Sequence, residues 1–168
     1  MLYKKKKIKG RLKLLAKLAW FPRTVAGVLG PMVGRPSARQ VAALCTRKGA
    51  SGKEILMITS LKSGRWIIPK GWPMEGKDFP QTALEEAWEE AGVRKGRVKG
   101  DMIGAYSYKK VQDNGTELPC LVDVYSVKVD ILEDRFPESD ARKRRWVSKA
   151  KAIDLVTEPE LKKIISII

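Results

Sequence analysis

Four glutamates at helical spacing form the densest group of reactive side chains in the sequence: Glu85, Glu86, Glu89 and Glu90. At 100° per residue they share one face of a helix whose opposite face is apolar. Like charges three or four residues apart cost a helix about 0.2–0.5 kcal/mol per pair, and a bound cation would remove that cost. The cluster is therefore either a metal site or a solvated acidic face.

The segment that precedes these glutamates favours the metal site. Residues 69–76 read Pro-Lys-Gly-Trp-Pro-Met-Glu-Gly, and their Gly and Pro content predicts a compact loop. Such a loop can fold back over the helix and add backbone oxygens to the carboxylates. Oxygen ligands suit Mg²⁺ or Mn²⁺, which hold phosphates well. The pattern therefore indicates phosphate chemistry.

The composition excludes several other kinds of site. The chain contains no histidine, which rules out Ser-His-Asp and Cys-His nucleophiles and every zinc site that needs histidine. Its two cysteines, Cys45 and Cys120, lie far apart in apolar runs and form no C-x-x-C pair. We expect both to be reduced core residues.

Charge divides the 168 residues into two parts. The net charge is +15, yet no acidic residue precedes Glu54, whereas 14 Lys and Arg do. The remainder carries 20 bases and 19 acids, so it is nearly neutral. We therefore expect a basic N-terminal extension over residues 1–33 and one domain over residues 34–168.

The extension has two interpretations. As an amphipathic basic helix, residues 1–30 would make weak contact with nucleic acid or an anionic membrane surface. As a solubilising arm, they would pack on the domain. Lys13 and Lys17 interrupt the apolar stretch that a secretion signal needs, and no apolar run is long enough for a transmembrane segment. We expect the protein to be cytoplasmic.

Short strands flank the helix that carries the glutamates. Asp78 is a suitable N-cap, Pro80 suits a first turn and Gly92 ends the periodic pattern, which predicts a helix over residues 79–91. The order of elements favours an α/β fold in which helices flank a mixed β-sheet. The predicted strands are 38–47, 54–60, 65–69, 102–111, 121–131 and 145–147, and the other helices are 148–155 and 158–168.

Residues 71–93 resemble the Nudix box, G-x5-E-x7-R-E-U-x-E-E-x-G-U, where U is apolar. Two positions depart from it, because Lys77 stands where the family has Glu and Glu85 where it has Arg. If these two side chains meet, an ion pair survives with reversed polarity beside the metal ligands. The positions that match are Gly71, Glu86, Ala87, Glu89, Glu90, Gly92 and Val93.

The resemblance extends over residues 38–155. Residues 65–69, 133–134 and 142–147 look like the diphosphoinositol polyphosphate and diadenosine polyphosphate phosphohydrolase branch. The resemblance implies an α/β/α sandwich and a Nudix pyrophosphohydrolase that cleaves a diphosphate linkage in a nucleoside or inositol polyphosphate. It also implies Mg²⁺ or Mn²⁺ as cofactor. Glu86, Glu89 and Glu90 would be catalytic residues and metal ligands, together with Gly71.

Phosphates beyond the metal need cations from the protein, and Arg favours bidentate contacts with them. Trp72 either stacks on a base or packs in its loop. The alternative function is a nucleic-acid or anionic-surface binding protein with a degenerate Nudix domain. The substrate moiety and the oligomeric state stay open. Candidate substrate-binding residues are Arg39, Arg65, Lys70, Arg142, Lys143 and Arg144.

Overall fold

A computed structural model describes residues 38–50 and 52–168. The extension predicted over residues 1–33, with its helix and binding surface, lies outside the described residues. The strands are β1 Ala38–Gly49, β2 Gly52–Thr59, β3 Trp66–Ile67, β4 Lys70–Gly71, β5 Val93–Val111, β6 Glu117–Leu132 and β7 Arg144–Ser148. The helices are α1 Phe79–Ala91, α2 Lys149–Leu155 and α3 Pro159–Ser166.

The strands of the described part form one mixed sheet. Its main path runs β3-β2-β1-β6-β5, with β4 paired to β1 and β7 paired to β2. Strands β1 and β6 are parallel, whereas the other pairs are antiparallel. The predicted α/β fold with a mixed sheet is confirmed.

Strand β1 is buried on both faces because helices cover the sheet from two sides. Ala42 and Leu44 join a core cluster that includes Leu161 of α3. Val41 and Ala43 join a second cluster, which contains the apolar face of α1. Successive side chains of a strand point to opposite faces, so the continuous apolar run serves both cores. The result is an α/β/α sandwich.

The ends of α1 follow the sequence signals. The Asp78 side chain accepts a hydrogen bond from Gln81 N over 2.7 Å, and the Gln81 side chain accepts one from Asp78 N over 2.9 Å. Gly92 ends the helix with φ 74°, in the left-handed region that glycine adopts most readily. The helix spans Phe79–Ala91, as predicted. Its register, and with it the direction of each glutamate, is therefore fixed at both ends.

Two segments differ from the sequence-based expectation. Lys70 and Gly71, placed in a loop, pair with Ala42 and Val41 of β1 as strand β4. Strand β5 begins at Val93, well before the expected residue 102, and its pairing with β6 shifts register in several places. Glycines and lysines weaken the strand pattern of residues 93–101, but the long neighbouring strand provides a partner for their backbone.

The described residues contain no helix that is long and apolar enough to cross a membrane. Cys45 and Cys120 are both buried and form no disulfide. The prediction that both are reduced core residues is confirmed.

Candidate active site

Two of the four glutamates of α1 are buried. Glu86 is 2% exposed and Glu90 7% exposed, whereas Glu85 and Glu89 are partly buried. Burial of an ionised carboxylate is costly unless cations or hydrogen-bond donors surround it. The alternative of a solvated acidic face is therefore wrong for Glu86 and Glu90.

The backbone of β4 lies directly against the Glu86 carboxylate. An ideal Cβ placed on Gly71 would overlap both oxygens of that side chain. Only glycine leaves enough space at this position, because the conflict is with a buried group. The first glycine of the box therefore allows the main chain to approach the first matched glutamate.

Glu90 uses both carboxylate oxygens in contacts with the protein. Its Oε2 accepts a hydrogen bond from Lys70 N over 2.9 Å, and its Oε1 accepts one from Arg142 Nη2. Burial raises the pKa of Glu90, and the charges of Arg142 and Lys70 act in the opposite direction. The carboxylate is thus held from one side by β4 and from the other by the segment between β6 and β7.

Arg142, predicted to bind substrate, is enclosed by internal partners. Its Nε donates to Glu138 Oε2 over 2.5 Å, and its Nη1 donates to Thr59 O over 2.8 Å. The side chain is only 6% exposed. Arg142 therefore bridges Glu90 and Glu138. Glu138 was not a candidate from the sequence, since nothing in its spacing connects it to Glu90, 48 residues earlier in the chain.

The two residues that depart from the Nudix box contact each other. Lys77 Nζ donates to Glu85 Oε2 over 2.5 Å, so the loop before α1 does fold back along the helix. The side chains are 37% and 35% exposed, which leaves the pair partly hydrated. The predicted reversed ion pair is present.

Arg39 and Arg65 each form a hydrogen bond with a side chain of another segment. Arg39 Nε donates to Asp123 Oδ2 over 2.7 Å, and its guanidinium lies 5.4 Å from the centre of the Phe79 ring. Arg65 Nη1 donates to Thr157 Oγ1 over 2.7 Å. Neither of them contacts Glu90, whose described partners are Lys70 N and Arg142.

Arg144 holds the C-terminal end of α1 in place. Its Nη1 donates to Ala91 O over 2.8 Å and also to Glu133 O, while its Nη2 donates to Asp134 Oδ1 over 2.5 Å. The carbonyls of the last helical turn lack partners within the helix, so this contact satisfies one of them. The neighbouring Lys143 is exposed. Of these two candidates, only Lys143 presents its side chain to solvent.

A basic and aromatic group lies beside Glu90. Lys70 Nζ is 4.9 Å from the centre of the Tyr108 ring, and Lys110 Nζ is 4.8 Å from that of Trp72. Burial lowers the pKa of both lysines, and the negative charge of Glu90 opposes that shift in each case. Side chains of a strand alternate between its two faces, so Lys110 lies on the same face of β5 as Tyr108. This alternation could have added Lys110 to the candidates.

The donor set suits a hard divalent cation, although the carboxylates do not converge on one point. Among the described residues, no three acidic or thiol side chains are grouped closely enough to hold a metal ion. The Glu86 carboxylate nevertheless lies against the backbone of Gly71, in space that a Cβ on that residue would fill. Carboxylate and carbonyl oxygens are the ligands that Mg²⁺ and Mn²⁺ prefer. The residues therefore fit such an ion, and Arg142 occupies one of the carboxylates.

Comparison with known proteins places this geometry in a family. The NUDIX domain model matches residues 37–166. Nudix hydrolase 21, chloroplastic, from Arabidopsis thaliana is 34% identical over 115 residues, which cover 65% of this chain and 53% of that protein. Diphosphoinositol polyphosphate phosphohydrolase 3-beta from Homo sapiens is 32% identical over 121 residues, 70% of this chain and 68% of that protein.

Solved structures share the fold. The C. elegans Ap4A hydrolase superposes with a TM-score of 0.58 at 22% identity, covering 77% of this chain and 94% of that one. The chain spans about half the length of several plant relatives that it matches. Those relatives bear chloroplastic or mitochondrial names, so the cytoplasmic location stays a prediction. The domain match over most of the sequence shows that this chain belongs to the Nudix hydrolase family.

Proposed function

We propose that this protein is a metal-dependent hydrolase that cleaves a diphosphate linkage in a nucleoside or inositol polyphosphate. The observation that carries the proposal is the burial of Glu86 against Gly71 and of Glu90 against Lys70 N, with the side chains of Lys70 and Lys110 beside them. Buried carboxylates are costly to a fold, so two of them on one helix favour a functional role. A site that holds a cation and a phosphate chain requires both kinds of charge.

Glu86, Glu89 and Glu90 would hold the metal, together with the carbonyl oxygen of Gly71. A bound Mg²⁺ or Mn²⁺ lowers the pKa of water and offsets charge at phosphorus. Glu86 is the carboxylate that we assign to accepting a proton from water or to bridging metal ions. Its support is its near-complete burial against β4, which fixes the direction of its oxygens.

Lys70 and Lys110 would bind the phosphates that extend beyond the metal. Each ammonium is partly removed from water and lies over an aromatic ring. A phosphate oxygen restores the hydrogen bonds that such an ammonium has lost, and the pair has twice the charge of one lysine. Lys143, Arg39 and Arg65 remain further candidates, because all three side chains reach solvent. Arg142 and Arg144 have internal partners and little exposure.

The names of the relatives support the proposed substrate class. One set acts on diphosphoinositol polyphosphates by name, and a structural neighbour is named for Ap4A. Both names describe several phosphate groups on one organic moiety. Because Lys70 and Lys110 both lie beside the carboxylates, the site suits a substrate with several phosphates better than a substrate with a single phosphate. The Trp72 and Tyr108 rings offer flat surfaces for a base.

A hydrolysis screen tests the substrate class. Purified protein is incubated with Mg²⁺, with Mn²⁺ or with a chelator, and release of phosphate is followed from dinucleoside polyphosphates, nucleotides, nucleotide sugars and phosphorylated inositols. We expect metal-dependent release from substrates with three or more linked or clustered phosphates. No release from any substrate in either metal would contradict the proposal.

A pair of neighbouring lysines provides the matched test of phosphate binding. Lys110→Met should lower kcat/KM about 10-fold or more, because a charge-assisted hydrogen bond contributes about 1.5–3 kcal/mol. Lys109→Met is the control, since Lys109 Nζ lies 2.8 Å from Glu117 and is exposed. Equal effects of the two changes would contradict a specific role for Lys110.

A further inference from the structure

The contacts of Glu90 conflict with its proposed role as a metal ligand. Both of its oxygens already accept hydrogen bonds, one from Lys70 N and one from Arg142. The backbone bond leaves room for a second partner on the same oxygen, because a carboxylate oxygen has two lone pairs. Arg142 is different, because it brings a full positive charge to the place where a cation would sit.

In the absence of a metal ion, a buried carboxylate needs a positive charge from the protein. An uncompensated buried charge is strongly destabilising, and Glu90 is almost completely buried. Arg142 stays positively charged beside Glu90, because a guanidinium does not lose its proton in proteins. A divalent ion and this guanidinium would repel each other at contact distance. The two cations therefore compete for the charge of Glu90.

The segment that carries Arg142 stays attached to the domain when this side chain leaves Glu90. The guanidinium is planar, so the side chain also gives up its bonds to Glu138 and Thr59 when it moves. The segment that carries Arg142 is attached to the end of α1 independently, through Glu138 N to Glu89 O over 3.2 Å and Glu133 N to Gly92 O over 2.8 Å.

There is also space for the side chain to move. A surface cleft of about 510 Å³ adjoins Arg142 on the side of β2. Thr59, Ser60 and Ser139 line it with oxygen atoms that can accept from a guanidinium, and Asp140 adds a carboxylate. Rotation of one side chain into this cleft vacates Glu90 Oε1.

We propose that Arg142 is the exchangeable counter-ion of Glu90: it occupies the carboxylate in the metal-free protein, and a divalent cation must displace it in order to bind. The proposal rests on the proposed function, because it takes Glu90 as a metal ligand. It assigns to Arg142 control of metal affinity. Loss of the competing cation should therefore strengthen metal binding.

Titration of Mn²⁺ into the full-length protein, without substrate, tests the competition. Calorimetry compares wild type with Arg142→Met and Lys143→Met. The second variant removes the same charge from the same segment but has no contact with Glu90. We expect Arg142→Met to bind Mn²⁺ at least about fivefold more tightly than Lys143→Met does. Equal affinities, or weaker binding by Arg142→Met, would overturn the proposal.

A second measurement uses wild type and does not depend on the folding of Arg142→Met. The Nε–Hε resonance of Arg142, assigned through its loss in Arg142→Lys, should shift when Mg²⁺ is added, and it should stay fixed in Glu90→Gln. A resonance that does not move at saturating Mg²⁺ would overturn the exchange.

The outcomes separate this proposal from the proposed function. If wild type and Glu90→Gln bind Mn²⁺ equally, Glu90 is no metal ligand, so the ligand assignment fails together with the exchange. If Glu90→Gln weakens Mn²⁺ binding while Arg142→Met matches Lys143→Met, the exchange alone is wrong.

Discussion

Lys77 and Glu85 form an ion pair between the loop that precedes α1 and the helix itself, with Nζ 2.5 Å from Oε2. At both positions the residue has the charge opposite to that of the family pattern. Because the two departures face each other, the attraction between loop and helix is kept. The glutamates that we propose as metal ligands match the family pattern.

A double-mutant cycle on this pair should show coupling. Lys77→Glu adds a carboxylate next to Glu85, and Glu85→Arg leaves two facing cations, so each change alone should lower kcat/KM. The double variant should recover much of the loss. Coupling between contacting residues is about 0.5–3 kcal/mol, and we expect the lower end because both side chains are about one-third exposed. Strictly additive losses would mean that the two positions act independently.

Arg144 should matter for stability and not for substrate binding. Arg144→Met removes the bonds to Ala91 O and Glu133 O, so the free energy of unfolding should fall by about 1–3 kcal/mol. Arg145→Met is the control, since Arg145 is the next residue in the chain and its side chain is exposed. Denaturant titration measures the difference, and KM should stay the same in both. A raised KM for Arg144→Met alone would restore Arg144 as a substrate ligand.

The buried thiols should be unreactive in the folded protein. Burial raises the pKa of Cys45 to about 12 and also raises that of Cys120. The thiolate is the reactive form, so neither cysteine should react rapidly with an aromatic disulfide reagent up to pH 9. Above pH 9 the unfolded Cys45 ionises while the folded one stays neutral, so its contribution to stability falls as pH rises. One fast-reacting thiol per native chain would contradict this expectation.

Removal of residues 1–30 should separate binding to anionic surfaces from catalysis. This segment holds 9 of the 34 Lys and Arg and no acid. The truncated chain should hydrolyse small substrates at the wild-type rate but sediment less with anionic lipid vesicles at low salt. A truncated chain that unfolds would show instead that the segment packs on the domain.

Local signals in the sequence were sufficient for α1. Asp78, Pro80 and Gly92 mark its ends, and its two faces differ in every turn, so helix, register and acidic face could all be predicted. Strand β4 could not be predicted, because Lys70 and Gly71 pair with a strand nearly 30 residues away and lie between residues typical of a loop. Pairing of that kind depends on the assembled sheet.

The roles of the basic side chains were the least predictable part of the site. Residues 142–145 form one cluster in the sequence, yet Arg142 contacts Glu90, Arg144 contacts Ala91 O and Lys143 faces solvent. These partners are distant along the chain, so charge pattern alone cannot distinguish a phosphate ligand from an internal counter-ion. The two kinds of residue lie on opposite faces of the segment: Arg142 and Arg144 point inward, and Lys143 points outward.

The central claim is that the buried carboxylates of α1 hold the metal that drives hydrolysis. The most direct measurement is Mg²⁺-dependent phosphate release by wild type, Glu86→Gln, Glu90→Gln and Glu75→Gln, with circular dichroism to verify folding. Glu75 is exposed and lies in the loop before α1, so it serves as the control. The account predicts at least about 100-fold lower kcat for the first two variants, since an amide lacks the charge that holds Mg²⁺, and near-normal kcat for Glu75→Gln. Near-normal turnover by folded Glu86→Gln and Glu90→Gln would contradict it.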